Sequence, residues 1–174
     1  MGGEYFAMFE KYFLQGIRKT VLTDDSYSRF QIMLQQYPYI NSNEFPALKD
    51  QYIFFQTEEL KRELCDEYLT NKVKEVDENY HRILGGLLMY PPCCIDYFVS
   101  KEREHTNKRS FLLYYGMSCA VRMEDVDRAA SYLWNLIPNP MDDTMVFKEG
   151  EYYIEIPYRD MDLVKHLQQL SKVS

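Results

Sequence analysis

Several features that usually announce a function are missing from this chain. It carries one Trp and three His. No stretch approaches the ~18 consecutive apolar residues of a membrane-spanning helix. The opening Met1-Gly2-Gly3-Glu4-Tyr5-Phe6 has no basic start, and Lys11 falls where the apolar run of a secretory signal would continue. Phe6 stands where a myristoylation site needs Ser or Thr. These absences make the cytoplasm the expected location. H-E-x-x-H, the P-loop, G-x-G-x-x-G, G-x-S-x-G and C-x-x-C are also absent, and with them the local signatures of zinc proteases, nucleotide binders, serine hydrolases and standard zinc sites.

Positive charge is in short supply. Twenty Lys and Arg face 27 Asp and Glu, a formal net charge of −7. An acidic chain is repelled by phosphate backbones unless its basic residues cluster. The densest basic stretch, Lys101, Arg103, Lys108 and Arg109, is broken by Glu102 and Glu104, so neither nucleic acid nor an anionic membrane is an expected partner. Cysteine is too sparse for a secreted disulfide scaffold. The four residues, Cys65, Cys93, Cys94 and Cys119, read as thiols or ligands in a reducing compartment.

What remains is an ordinary globular composition with an aromatic excess. Apolar residues make up 46% and charged residues 27% of 174 residues, with 16 Tyr and 10 Phe. That length suits one globular domain over 1–174. Tyr carries a large ring and a polar tip, so it serves core boundaries and binding surfaces alike.

Apolar spacing predicts helices over residues 4–20 (Phe6, Phe9, Phe13, Ile17), after Asp24 and Asp25 (Tyr27, Phe30, Leu34, Tyr37), after Thr57 (Leu60, Leu64, Tyr68) and from Asn71 to Tyr90 (Val76, Tyr80, Ile83, Leu84, Leu87). Gly85 and Gly86 inside the last of these imply a close approach or a bend. Further helices are expected from Pro92 to about Glu104, from Met123 to Ile137, and from Asp160 to Lys172. Thr144–Tyr158 reads as a hairpin in which Tyr152, Ile154 and Ile156 share the apolar face. Gln51–Phe55 and Phe111–Tyr115 have room for further short strands. The expectation is an α+β fold, predominantly helical, with six or seven helices, a C-terminal β-hairpin and one or two further short strands.

The chemistry-bearing segment is Tyr90-Pro91-Pro92-Cys93-Cys94-Ile95-Asp96-Tyr97-Phe98. Pro is accepted in a first helical turn, so the proline pair ends one helix and starts the next. The first-turn amides carry partial positive charge, which favours a thiolate. Cys93 and Cys94 are thus reactive-thiol candidates, with Cys94 expected on the buried face of Ile95 and Phe98 and Cys93 more accessible. A metal centre, zinc or iron–sulfur, would need Cys93, Cys94, Cys119 and His105 together. The competing reading makes the cysteines small buried hydrophobes. His81 and His166 read as residues at the edge of the core.

Over Leu84–Phe98 the chain resembles an uncharacterised family of archaeal and bacterial proteins with a segment L-G-Y-P-x-C-C-hydrophobic-acidic-x-F. Met89 stands where that pattern has Gly. The resemblance implies no known activity, but it implies that Tyr90, Cys93, Cys94 and Cys119 lie together.

Two functions follow as expectations. The first is a non-enzymatic protein-binding or assembly protein that meets a partner, or its own copy, through a Tyr-rich surface. The alternative is a thiol or metal site at the Tyr-Pro-Pro-Cys-Cys segment with redox or metal-assisted activity.

Overall fold

A computed structural model describes residues 3–69, 77–100, 110–138 and 144–170. Among these residues there are seven α-helices and seven β-strands, the strands forming two antiparallel sheets. The fold is α+β, but the expectation of a mainly helical chain with a C-terminal hairpin and one or two extra strands is corrected. Strands run from Thr20 to Ile156. The reason is local. Strands of four or five residues are too short to show a clear period, and their apolar residues also fit a helical stripe. Contacts divide the chain into two units, Met1–Met89 and Tyr90–Ser174.

In the first unit α1 (Gly3–Leu14) stops early. Gly16 adopts φ 73°, a left-handed exit that glycine takes without steric cost. The expected helix to residue 20 therefore gives way to β1 (Thr20–Thr23). Asp24 caps no helix. Its Oδ1 accepts from the Ser26 N–H at 3.0 Å in a turn, and α2 begins later, spanning Phe30–Gln36. β2 (Tyr39–Ile40) and β3 (Tyr52–Phe55) complete a sheet of order β1-β3-β2, with Val21 opposite Phe54 and Ile40 opposite Ile53. Its core joins Phe13, Val21, Phe30, Met33 and Phe54. Phe30 and Phe54 meet edge to face with centroids 5.8 Å apart.

α3 (Glu58–Tyr68) starts where Thr57 Oγ1 accepts from the Leu60 N–H at 3.2 Å. α4 (Glu78–Leu87) starts where Asp77 Oδ1 accepts from the Tyr80 N–H at 2.8 Å. The expected helix start at Asn71 and its Val76 lie outside the described residues. Gly86 leaves room for the Tyr68 ring, which occupies the space a Cβ would need. α4 closes at Leu88, and Met89 follows with φ 58°. A glycine would hold that conformation more easily than methionine does. Glu10 is buried on α1. Its Oε1 accepts from Thr23 Oγ1 at 2.8 Å, its Oε2 has no partner among the described residues, and burial raises its pKa.

The second unit runs α5 (Pro92–Val99), β4 (Ser110–Tyr114), β5 (Met117–Val121), α6 (Val126–Leu136), β6 (Met145–Glu149), β7 (Tyr152–Ile156) and α7 (Met161–Leu170). The sheet order is β5-β4-β6-β7. Tyr115 and Gly116, both at positive φ, form the tight turn between β4 and β5. Gly150, φ 58°, is the first central residue of the two-residue turn between β6 and β7, the place where a type II′ turn needs positive φ. α6 packs on β4 and on α7. Gln168 Nε2 on α7 donates to the Met123 carbonyl and to Asp127 Oδ1, each at 3.0 Å, and so ties α7 to the entry of α6. The expected continuation of α5 to Glu104, the basic stretch from Lys101 to Arg109, Pro140 and Lys172 lie outside the described residues.

Candidate functional site

The chain enters α5 at Pro92, with Pro91 as its cap. The Pro91 carbonyl accepts from the Cys94 and Ile95 N–H groups at 2.9 and 3.1 Å. α5 packs on β5 and α6, and this places Cys94, which follows Cys93, beside Cys119 of β5. All three are buried, at 7%, 3% and 1% exposure. Burial therefore falls on the face of Cys93, Cys94 and Tyr97, whereas Phe98 is 40% exposed. The expected place of Phe98 on the buried face with Cys94 is corrected; Cys94 is buried as expected, and Cys93, although the more accessible of the two, is buried as well.

The three thiols form a chain. Cys93 neighbours Cys94, and Cys94 lies against Cys119, each pair close enough for one thiol to shift the titration of the other. The Cys93 thiol is pushed far above the usual range, first by donating its hydrogen to Cys94 and then by burial. The Cys94 thiol is pushed up in turn, first by donating to Cys119, partly offset by the bond it accepts from Cys93, with burial adding to the rise. Asp125 strengthens both shifts by like-charge repulsion of a thiolate. Its carboxylate is held by Arg128 at 2.9 Å and Arg122 at 3.5 Å, and the Arg122 guanidinium lies 5.2 Å from the Tyr97 ring centre. No motif spacing links these residues to the cysteines. Only the packing of α5 against β5 and α6 does.

With their pKa values raised, Cys93 and Cys94 stay protonated near neutral pH. A protonated thiol is a poor nucleophile and a poor ligand. Among the described residues, no group of three or more His, Cys, Asp and Glu is arranged to hold a metal ion. His105 lies outside the described residues. His81 sits half-buried against Tyr80, with ring centroids 5.2 Å apart, and His166 is exposed. Cys65 is half-buried on α3, and burial raises its pKa too.

A second feature of the same unit lies on the surface. Among the described residues β7 pairs on one side only, with β6, in the register Lys148–Tyr153 and Glu149–Tyr152. An edge strand presents unpaired N–H and C=O groups. Tyr152 and Tyr153 on this edge are 79% and 57% exposed. The hairpin was legible in the sequence, but Tyr152 was expected on its apolar face with Ile154 and Ile156. Ile156 is buried and Ile154 half-buried, while Tyr152 projects beyond the core next to the Gly150–Glu151 turn. Glu151 and Glu155 are exposed on either side of the tyrosines, and Lys148 Nζ stacks 4.9 Å from the Tyr153 ring centre.

No protein-family model matches the chain, and neither a curated protein nor a solved structure matches it. Among the described residues no helix is long and apolar enough to cross a membrane.

Proposed function

We propose that this is a protein-binding module whose β7 edge accepts an extended, basic segment of a partner protein. The observation that carries this reading is a strand whose outer edge is unpaired among the described residues and which bears two large exposed tyrosines, Tyr152 and Tyr153. Burying two such rings removes several hundred Å2 of mostly apolar surface from water, and Tyr is enriched where proteins meet. Strand addition supplies backbone hydrogen bonds, while side chains on alternating faces select the sequence. The charge at this edge argues for the sign of the partner. Glu151 and Glu155 flank the tyrosines, and a basic residue opposite an acid stabilises a cross-strand pair. Two copies of β7 side by side would instead bring Glu residues together. The four free cysteines are in keeping with a reducing compartment.

The probe is a capped peptide of alternating Lys and Val, followed by fluorescence anisotropy. The protein is expected to bind it, more weakly as salt screens the acids. Y153K places a cation at the edge, the device natural proteins use against edge pairing, and is expected to weaken binding at least about tenfold, or ~1.4 kcal/mol. Equal binding by Y153K, or a dimer broken by Y153K in light scattering, would overturn the basic-segment reading.

A further inference from the structure

The first unit has a cleft of its own, about 620 Å3, bounded by the C-terminal end of α2, by β2 and by the first turns of α3. This lies within the few hundred to 1,000 Å3 typical of small-molecule sites. Six of its lining residues are uncharged amides or tyrosines: Gln35, Gln36, Asn41, Asn43, Tyr37 and Tyr39. We propose that this cleft binds a short neutral saccharide.

The lining selects that chemistry by elimination. A carboxamide both donates and accepts, which matches a sugar hydroxyl that does the same. Tyrosine adds ring carbon for the C–H faces of a sugar and a phenol for its hydroxyls. An apolar ligand would strip water from four amides and return no hydrogen bond. A polyanion would meet Glu44 and Glu58, and Lys61 beside them leaves only a small net negative charge to draw in a polycation. A neutral polyol meets no such opposition.

The walls are already in place before any ligand arrives. Glu44 Oε2 accepts from the Asn41 N–H at 3.2 Å, and Asn41 Oδ1 accepts from the Asn43 N–H at 2.9 Å. The next residue, Phe45, is fully buried and anchors this loop. Tyr37 lies 4.8 Å from Phe13 between ring centres, and Tyr39 lies 5.6 Å from both Tyr52 and Phe54. Rings held in this way lose little freedom on binding. Asn43 and Gln36 are exposed, the loop is held through the backbone of Asn43, and among the described residues no hydrogen bond engages either side chain.

Maltose, cellobiose, lactose and chitobiose are the probes, each titrated against the full chain with saturation-transfer NMR. At least one is expected to bind saturably in the millimolar range, unaffected by added salt. Q36A combined with N43A is expected to weaken that binding about fivefold or more, the loss of neutral hydrogen bonds, with an unchanged melting temperature. K61A is expected to leave it nearly unchanged. No transfer from any of the four sugars, undiminished binding in the double variant, or binding abolished by K61A or by salt would each overturn the proposal. Binding of the basic peptide at β7 is a separate readout and does not depend on this outcome.

Discussion

A thiol that gives its hydrogen to a neighbouring sulfur has two reasons to stay neutral, the bond and the burial, and Cys93 and Cys94 have both. The helix N-terminus pulls the other way, since its dipole favours a thiolate by roughly 0.3–1 kcal/mol at surface exposure. Here it loses to a chain of hydrogen bonds and to Asp125. The consequence for pH follows directly. A raised folded-state pKa means that the folded protein holds these protons longer than the unfolded chain does. Stability is therefore flat below the unfolded thiol pKa of about 8.5 and falls as pH rises beyond it. Denaturant midpoints measured from neutral pH upward should drop, and should drop less in C93A and C94A. At about pH 8, a thiol reagent should leave Cys93 and Cys94 unlabelled in the native protein and reach them on unfolding. Rapid labelling of Cys93 in the native state would contradict this assignment and revive the reactive-thiol reading.

At the level of elements, the sequence revealed some starts and stops, but not which faces are buried. Thr57 caps α3 and the proline pair opens α5 because each acts through its own backbone neighbourhood. Which side of α5 is buried was hidden. In Pro92–Val99 only Asp96 is charged, so no broad polar face sets the rotation of the helix. Likewise β1 and β5 were invisible, since neighbours distant in sequence make them strands. Thr20–Thr23 is a strand because β3 lies beside it, and Met117–Val121 because β4 does. The three cysteines were legible as candidates one by one, but Asp125 with its two arginines came only from packing. Gly86 shows how a sequence signal becomes a contact. Alanine there would gain about 1 kcal/mol in helix propensity. It would also push its methyl into the Tyr68 ring, and overpacking of this kind costs roughly 1–3 kcal/mol. G86A should therefore lower stability by about 1 kcal/mol, and Y68A, which empties the space, should remove that loss in a double-mutant cycle. Additive losses would mean that the ring does not set the spacing of α3 and α4.

On the scale of the whole chain, the two units differ in what they offer. The first has a three-stranded sheet, an aromatic core and the amide-lined cleft. The second has a four-stranded sheet, the thiol chain and the tyrosine edge. Each sheet is built only from strands of its own unit. The second unit also buries its own set of large side chains, among them Leu112, Val126, Leu133, Met145 and Ile156, all fully enclosed. A sheet of four strands packed on a helix exceeds the minimum that holds together in water. The fragment Tyr90–Ser174 should therefore fold by itself. The single Trp of the chain gives a clean test, because Trp134 lies in this unit at 2% exposure, with the Tyr158 ring centre 6.1 Å away. Its emission should stay blue-shifted in the isolated fragment and move red in one cooperative step on heating. The fragment should also keep the affinity of the full chain for the Lys–Val peptide, since β6, β7 and the acids beside them are all present. Red-shifted emission at room temperature would mean that residues before Tyr90 are needed to complete this core, and the peptide should then fail to bind the fragment as well.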